Sequence, residues 1–301
     1  MAQPLVRHSE SISAGSPSRN RWASFADLIR LRSQSGTMLL MLPTLWSLVL
    51  ASDGRPPLNL LFVFMAGSFL MRSAGVVLND LADRSFDRQV ARTRARPLAS
   101  GAVTVNQALA LVSALIGLVV GLVLLLNPLA ILLSPVALAL AALYPYAKRV
   151  IHVPQAALGL AFGWGVVMAW AAARNSLAVP AWLLYGSTFC WAVAYDTIYA
   201  LQDREDDLRI GVKSAAILFG SRTWIAVGIA FGVMLTLLVI AGWLTGLGLI
   251  YYGVLAVVGG FFARQMVMLR GPITPPEAFA LFKQHVWVGW AVLTGMWLGF
   301  L

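Results

Sequence analysis

Acidic residues are scarce in this chain. Aspartate and glutamate together number 12 among 301 residues, and charged residues of both signs make up only 11%. A soluble domain carries about 25% charged residues, so an ordinary soluble fold is excluded. The single cysteine, Cys190, excludes an intrachain disulfide; inside an apolar segment it reads as a small core residue. Residues 1–22 are rich in serine and arginine and hold no apolar core of the kind a secretory signal needs. They are expected to form a mobile cytoplasmic tail, ahead of a single multi-pass transmembrane domain over 23–301.

What the chain does have is apolar sequence, 59% of its residues, with a mean hydropathy of +0.80. Crossing a bilayer takes about 20 such residues. Nine segments qualify: 26–51, 58–83, 105–126, 129–147, 154–173, 180–202, 222–243, 246–266 and 279–300. The expected fold is an all-α integral membrane protein of about nine transmembrane helices around a central cavity opening to the cytoplasmic side. Pro128, Pro154 and Pro180 stand near segment starts, where proline is tolerated, while Pro135 should kink the fourth segment. A net charge of +10 would point to nucleic acid in a soluble protein. Here 19 of the 22 Lys and Arg residues fall on one side of the nine-span layout. That asymmetry puts the N-terminus in the cytoplasm and the C-terminus outside. It leaves the lipid bilayer, and not nucleic acid, as the expected partner; protein partners are not legible.

Eight of the twelve acids lie in two short stretches. Asn79, Asp80, Asp83 and Asp87 recur at spacings of three and four, which places them on one helical face. Asp196, Asp203, Glu205, Asp206 and Asp207 form the second stretch, and both stretches end apolar segments on the same side. Buried carboxylates repel one another unless they are paired or bind a cation. Hard oxygen ligands suit Mg²⁺, held by one or two carboxylates together with substrate phosphates. Asn79, Asp80, Asp83 and Asp87 therefore read as one half of a site for Mg²⁺ and a phosphorylated ligand, with Asp203, Asp206 and Asp207 as the other half. The competing reading is two solvated helix ends paired with Arg84, Arg88, Arg204 and Arg209. Arg72, about two turns before Asn79 on the same face, needs an anion at that depth; a carboxylate or a diphosphate would satisfy it, and so would a plain buried ion pair with an Asp of the second stretch. Tyr144-Pro-Tyr-Ala-Lys148-Arg149 and Lys213 add cations on the same side. His152 and His285 are assigned no role.

The paired acidic motifs resemble those of the UbiA superfamily of intramembrane prenyltransferases. Met71–Gly75, Arg96-Pro-Leu-Ala-Ser-Gly101, Tyr144–Arg149, Leu158–Trp164, Tyr195-Asp-Thr-Ile-Tyr199 and Lys213–Gly220 are similar to its 4-hydroxybenzoate polyprenyltransferase branch. The resemblance runs over roughly residues 25–300, with one departure. The branch usually has an Asp-Arg-Pro-Ile-Gly run after an Arg-Leu in its first helix, where this chain has Arg32-Ser-Gln-Ser-Gly36 after Arg30-Leu31.

That resemblance implies Mg²⁺-dependent transfer of a polyprenyl group from a polyprenyl diphosphate to 4-hydroxybenzoate, ortho to the phenol, in ubiquinone biosynthesis at a bacterial inner membrane. It implies that Asn79, Asp83, Asp87, Asp203 and Asp207 lead in holding the metal, with Asp80 and Asp206 in support. Arg72, Lys148 and Lys213 would stabilise the leaving diphosphate, and Tyr144 would line the substrate site. Arg149 is the candidate for the acceptor's carboxylate, with Arg30 as the alternative, because guanidinium matches carboxylate in a fork. Asp196 shares a face with Asp203 and is the candidate for taking the ring proton. The alternatives are another aromatic acceptor within the same superfamily, or a cation-coupled transporter.

Overall fold

The computed structural model describes residues 21–90, 92–211 and 213–301, without the side chains of Lys148 and Ile210. Residues 1–20 of the expected tail lie outside these; Arg21 and Trp22 already belong to a helix. In chain order the helices are α1 (Arg21–Leu28), α2 (Ser35–Ala51), α3 (Leu58–Asp87), α4 (Pro97–Ser100), α5 (Val105–Val123), α6 (Pro128–Leu143) and α7 (Ala147–Val150). They continue as α8 (Pro154–Arg174), α9 (Val179–Ala200), α10 (Arg204–Ile210), α11 (Ala215–Phe219), α12 (Thr223–Leu244), α13 (Leu249–Met268) and α14 (Pro275–Leu298). No strand occurs among the described residues, and the protein is an all-α, multi-pass membrane protein.

Local sequence sets most of these boundaries. Thr104 and Gln107 form a reciprocal capping box at the start of α5, and Thr274 with Glu277 does the same for α14. Asn127 caps α6, whose first residue is Pro128, and Pro154 opens α8. Among the described residues six helical stretches are long and apolar enough to cross a membrane: Leu58–Asp87, Val105–Val123, Pro128–Tyr146, Pro154–Arg174, Ala215–Leu244 and Leu249–Met268. The expected count of nine is therefore not reproduced on length and apolarity. α2 has only 17 residues, and the 22-residue α9 is interrupted by Tyr, Ser, Thr and Asp196.

The first expected span is broken in two. Arg30 adopts a left-handed backbone (φ 56°), and the amide of Gln34 donates to the carbonyls of Arg30 and Leu31. The chain therefore turns between α1 and α2 instead of continuing as one helix. Pro145 similarly ends the fourth span in a 3₁₀ turn over Tyr144–Tyr146.

α2, α8, α9 and α14 pack together at the centre, α12 and α13 close one flank, and α3, α5 and α6 the other. Polar side chains tie the central helices. Ser47 of α2 donates to the Val166 carbonyl of α8 at 2.7 Å, and the Trp46 indole donates to Gly289 of α14 at 2.9 Å. α2, α8 and α14 start where α3 and α9 finish, so five helix ends converge there around one cavity.

Candidate active site

The convergent ends enclose a cavity of about 590 Å³. α3 brings Arg72, Asn79, Asp80, Asp83 and Asp87 to its wall, and α9, the turn after it and α10 bring Asp196, Asp203, Asp206 and Asp207 from across the bundle. Arg30, Tyr144 and Lys213 also line it. Every acidic residue expected at the site, from both stretches, thus faces one space. The break between α1 and α2 places Arg30 there.

Three arginines neutralise part of this charge. Arg30 donates to both oxygens of the buried Asp80 at 2.8 and 3.0 Å. Arg96 bridges Asp80 (3.2 Å) and Asp87 (2.9 Å). Arg92 forms a two-point bond to Asp203 at 2.9 and 2.6 Å, tying the loop after α3 to the far acidic stretch. Burial lowers the Arg92 pKa, but Tyr199 and Asp203 outweigh it and hold the guanidinium above its ordinary value. Neither Arg92 nor Arg96 is an expected site residue, although Arg96 opens one of the runs that carry the resemblance; their nearness to Asp87 is the available signal. Arg84 and Arg88, the partners expected if the helix ends were merely solvated, donate instead to the carbonyls of Leu98 and Ala99. Asp206 does approach Arg209, at 3.9 Å.

Arg149 does not line the cavity, which corrects its expected role as the carboxylate-binding group. After the 3₁₀ turn at Tyr144–Tyr146 it donates to the Ala82 carbonyl at 2.6 Å and lies over the rings of Tyr146 and of Phe86, which is itself on the cavity wall. It braces the acidic stretch of α3. Lys213 donates to the Val150 carbonyl at 3.0 Å. The side chain of Lys148 is outside the described residues.

Two charged groups in the cavity, within electrostatic reach of one another, have no hydrogen-bonded partner among the described residues. Arg72 makes no hydrogen bond or ion pair to any described residue, and neither does Asp196. Arg72 lies over Gly36: a Cβ added at that glycine would stand 2.6 Å from Arg72 Nε and Nη2. With Asp196 near but not bonded to it, the Arg72 guanidinium keeps its donors free for an anionic ligand.

Among the described residues no three carboxylates cluster tightly enough to hold a metal unaided. The donor set still fits a hard cation that takes few protein ligands and completes its shell with phosphate oxygens and water. Asn79 and Asp83, joined by a 3.0 Å hydrogen bond, offer oxygens from one wall, and Asp203 and Asp207 offer them from the other. Asp80, held by two arginines, orders that wall rather than leading it.

Residues 40–289 match the model of the UbiA prenyltransferase family. The chain is 46% identical, over 96% of its length and 99% of the relative's, to a 4-hydroxybenzoate octaprenyltransferase of Pectobacterium carotovorum subsp. carotovorum (strain PC1). A protein of the same name from Cronobacter sakazakii (strain ATCC BAA-894) is 47% identical over 94% of this chain and 97% of its own. The fold is similar to that of a UbiA homologue from Aeropyrum pernix K1, with a TM-score of 0.74, 28% identity and coverage of 86% and 96% of the two chains. A UbiA homologue from Archaeoglobus fulgidus bound to GPP and Mg²⁺ shares the fold at a TM-score of 0.67, with 15% identity over 90% and 99% of the chains.

Proposed function

Because the chain belongs to the UbiA prenyltransferase family, we propose that it transfers a polyprenyl group from polyprenyl diphosphate to the ring of 4-hydroxybenzoate, ortho to the phenol. One observation carries this reading: two acidic motifs and an arginine with no hydrogen-bonded partner among the described residues share one cavity at the end of an otherwise apolar bundle. The first group suits a metal diphosphate and the second a carboxylate. Relatives named for this reaction cover nearly the whole chain.

A divalent cation, Mg²⁺ in our reading, would be held by Asn79, Asp83, Asp87, Asp203 and Asp207 with Asp206 beside them. It would supply Lewis-acid neutralisation of the departing diphosphate. The chain's own residues do the rest. Lys213, Arg92 and Arg96 add positive charge where the leaving group accumulates negative charge. Arg72 takes the acceptor's carboxylate in its fork and so points the phenol end of the ring at the allylic carbon. The carbon–oxygen bond to diphosphate breaks, a bond forms from that carbon to the ring carbon beside the phenol, and the displaced ring proton passes to the carboxylate of Asp196. The apolar walls, Leu39, Leu158 and Phe162 among them, keep water from the cationic allyl group. The positive-inside bias turns this end of the bundle to the cytoplasm, with a bacterial inner membrane as the setting.

The direct test is diphosphate release by the purified protein in lipid, with geranyl diphosphate, 4-hydroxybenzoate and Mg²⁺. Release that needs both the acceptor and the cation, and stops with EDTA, supports the reading. Release with a different phenol moves the acceptor, and no release with any phenol or longer donor rejects prenyl transfer.

Gly36→Ala isolates the acceptor end. Its new Cβ must push the Arg72 guanidinium aside. A displacement of about 1 Å costs up to 10²-fold in rate, so kcat/KM for 4-hydroxybenzoate should fall roughly tenfold or more. The KM for the prenyl donor should hold. Steady-state kinetics in both substrates check this.

A further inference from the structure

α14 carries a histidine that the proposed reaction does not use. His285 is fully buried in a box of rings: Trp191 and Tyr195 of α9, Phe231 of α12, and Phe261 and Phe262 of α13, with centroids 5.4 to 6.3 Å from the imidazole. The Trp191 indole donates its N–H to His285 Nδ1 at 2.9 Å. An indole nitrogen only donates, so Nδ1 carries no proton and the neutral ring keeps its proton on Nε2.

That bond sets the orientation of Trp191. Trp46 of α2 stacks on the same indole at 5.1 Å, and is itself anchored to the Gly289 carbonyl one turn beyond His285. Gly289 leaves the room: a Cβ there would meet Trp191 at 3.0 Å and Leu42 at 2.6 Å. Trp191 then meets Tyr195 edge-on, at 5.3 Å and 90°, while Phe282 closes the other flank at 5.8 Å. Tyr195 is where this chain of contacts reaches the cavity. Its hydroxyl is buried without a hydrogen-bond partner among the described residues, within electrostatic reach of Asp196 and Arg72.

We propose that His285 is a positioning residue for the aromatic acceptor: through Trp191 it fixes Tyr195, whose hydroxyl hydrogen-bonds a polar substituent of the acceptor ring. The inference rests on the acceptor reading given above.

Two substitutions separate this role from simple packing. Leucine fills the aromatic box but offers Trp191 no acceptor. Asparagine fills it poorly but presents Oδ1 where Nδ1 stood. If only packing matters, His285→Leu is the better tolerated. Positioning gives the reverse order. His285→Leu should raise the KM for 4-hydroxybenzoate about tenfold, the worth of one buried hydrogen bond. His285→Asn should recover most of that, and neither variant should move the KM for geranyl diphosphate beyond about twofold. Should the leucine variant fail to fold, Trp191→Phe removes the donor instead and is expected to raise the same KM.

Nitrogen-15 spectra of the histidine-labelled protein in micelles give a readout independent of turnover. An unprotonated Nδ1 is expected, and a protonated one overturns the proposal. An active wild type with unchanged acceptor KM in the variants, or with asparagine worse than leucine, also overturns it. A wild type inactive on 4-hydroxybenzoate removes the acceptor reading first, and this inference with it.

Discussion

Replacing Asp83 or Asp207 by asparagine is expected to abolish diphosphate release while leaving the protein folded. The two residues stand on opposite walls of the cavity, one on α3 and one on α10. Asparagine keeps the shape and one acceptor oxygen, so Asn79 can still donate to position 83 as it does to Asp83 at 3.0 Å. What disappears is the negative charge that a cation and its diphosphate need. Removing one preorganised electrostatic contact from a catalytic site costs about 10²- to 10³-fold in kcat, and here it also weakens metal binding. The loss should therefore lie at the top of that range, partly recovered at higher Mg²⁺. The melting temperature should stay within a few degrees of wild type, since asparagine keeps the side chain's shape and an acceptor oxygen. Full turnover by either variant would remove its wall from the metal site.

The second large effect belongs to Arg72. Arg72→Gln should lower kcat/KM for 4-hydroxybenzoate by about 10²-fold or more, because truncating one member of a desolvated charge pair costs about 2–5 kcal/mol. Arg72→Lys restores the charge but not the fork and should recover only part of the loss. The methyl ester of the acceptor, which lacks the carboxylate charge, supplies the second arm of a double cycle. Wild type should use it poorly, and Arg72→Gln should lose little more on it. If Arg72 instead serves the diphosphate, the ester will lose as much as the acid and the donor KM will rise. Stability should not fall, since Arg72 makes no ion pair with any described residue.

Much of this was legible in the chain because charge is so rare there. With few acids available, eight of them in two stretches mark a site, and the structure brings both stretches to one cavity. Helix limits came through apolar length and proline position: 154–173 expected and Pro154–Arg174 found, 180–202 expected and Val179–Ala200 found. Other features depend on local backbone geometry that periodicity does not carry. The left-handed Arg30 splits the first span and moves that arginine to Asp80. After a 3₁₀ turn Arg149 donates to the Ala82 carbonyl of α3, so the forked cation lining the cavity without a hydrogen bond to any described residue is Arg72. Arg92 and Arg96 sit in an irregular loop where spacing says nothing about direction. His285 has no role legible in the sequence because nothing there shows that rings from α9, α12 and α13 bury it completely.

The length of α3 has a kinetic consequence. Its 30 residues make a rod of about 45 Å against a hydrocarbon core of about 30 Å. Counted from Leu58, the first twenty or so residues use up the core near Val77. Asn79 to Asp87 then stand at headgroup level, while Arg72 remains a turn or two below. An amphiphile with a diphosphate head and a terpenoid tail already sits at that depth in a leaflet, so it reaches the carboxylates by sliding sideways and never has to leave the membrane. The protein therefore sees its donor as a surface density. In liposomes, rates should follow the mole fraction of polyprenyl diphosphate among the lipids, and diluting with empty lipid at constant bulk substrate should slow turnover in proportion.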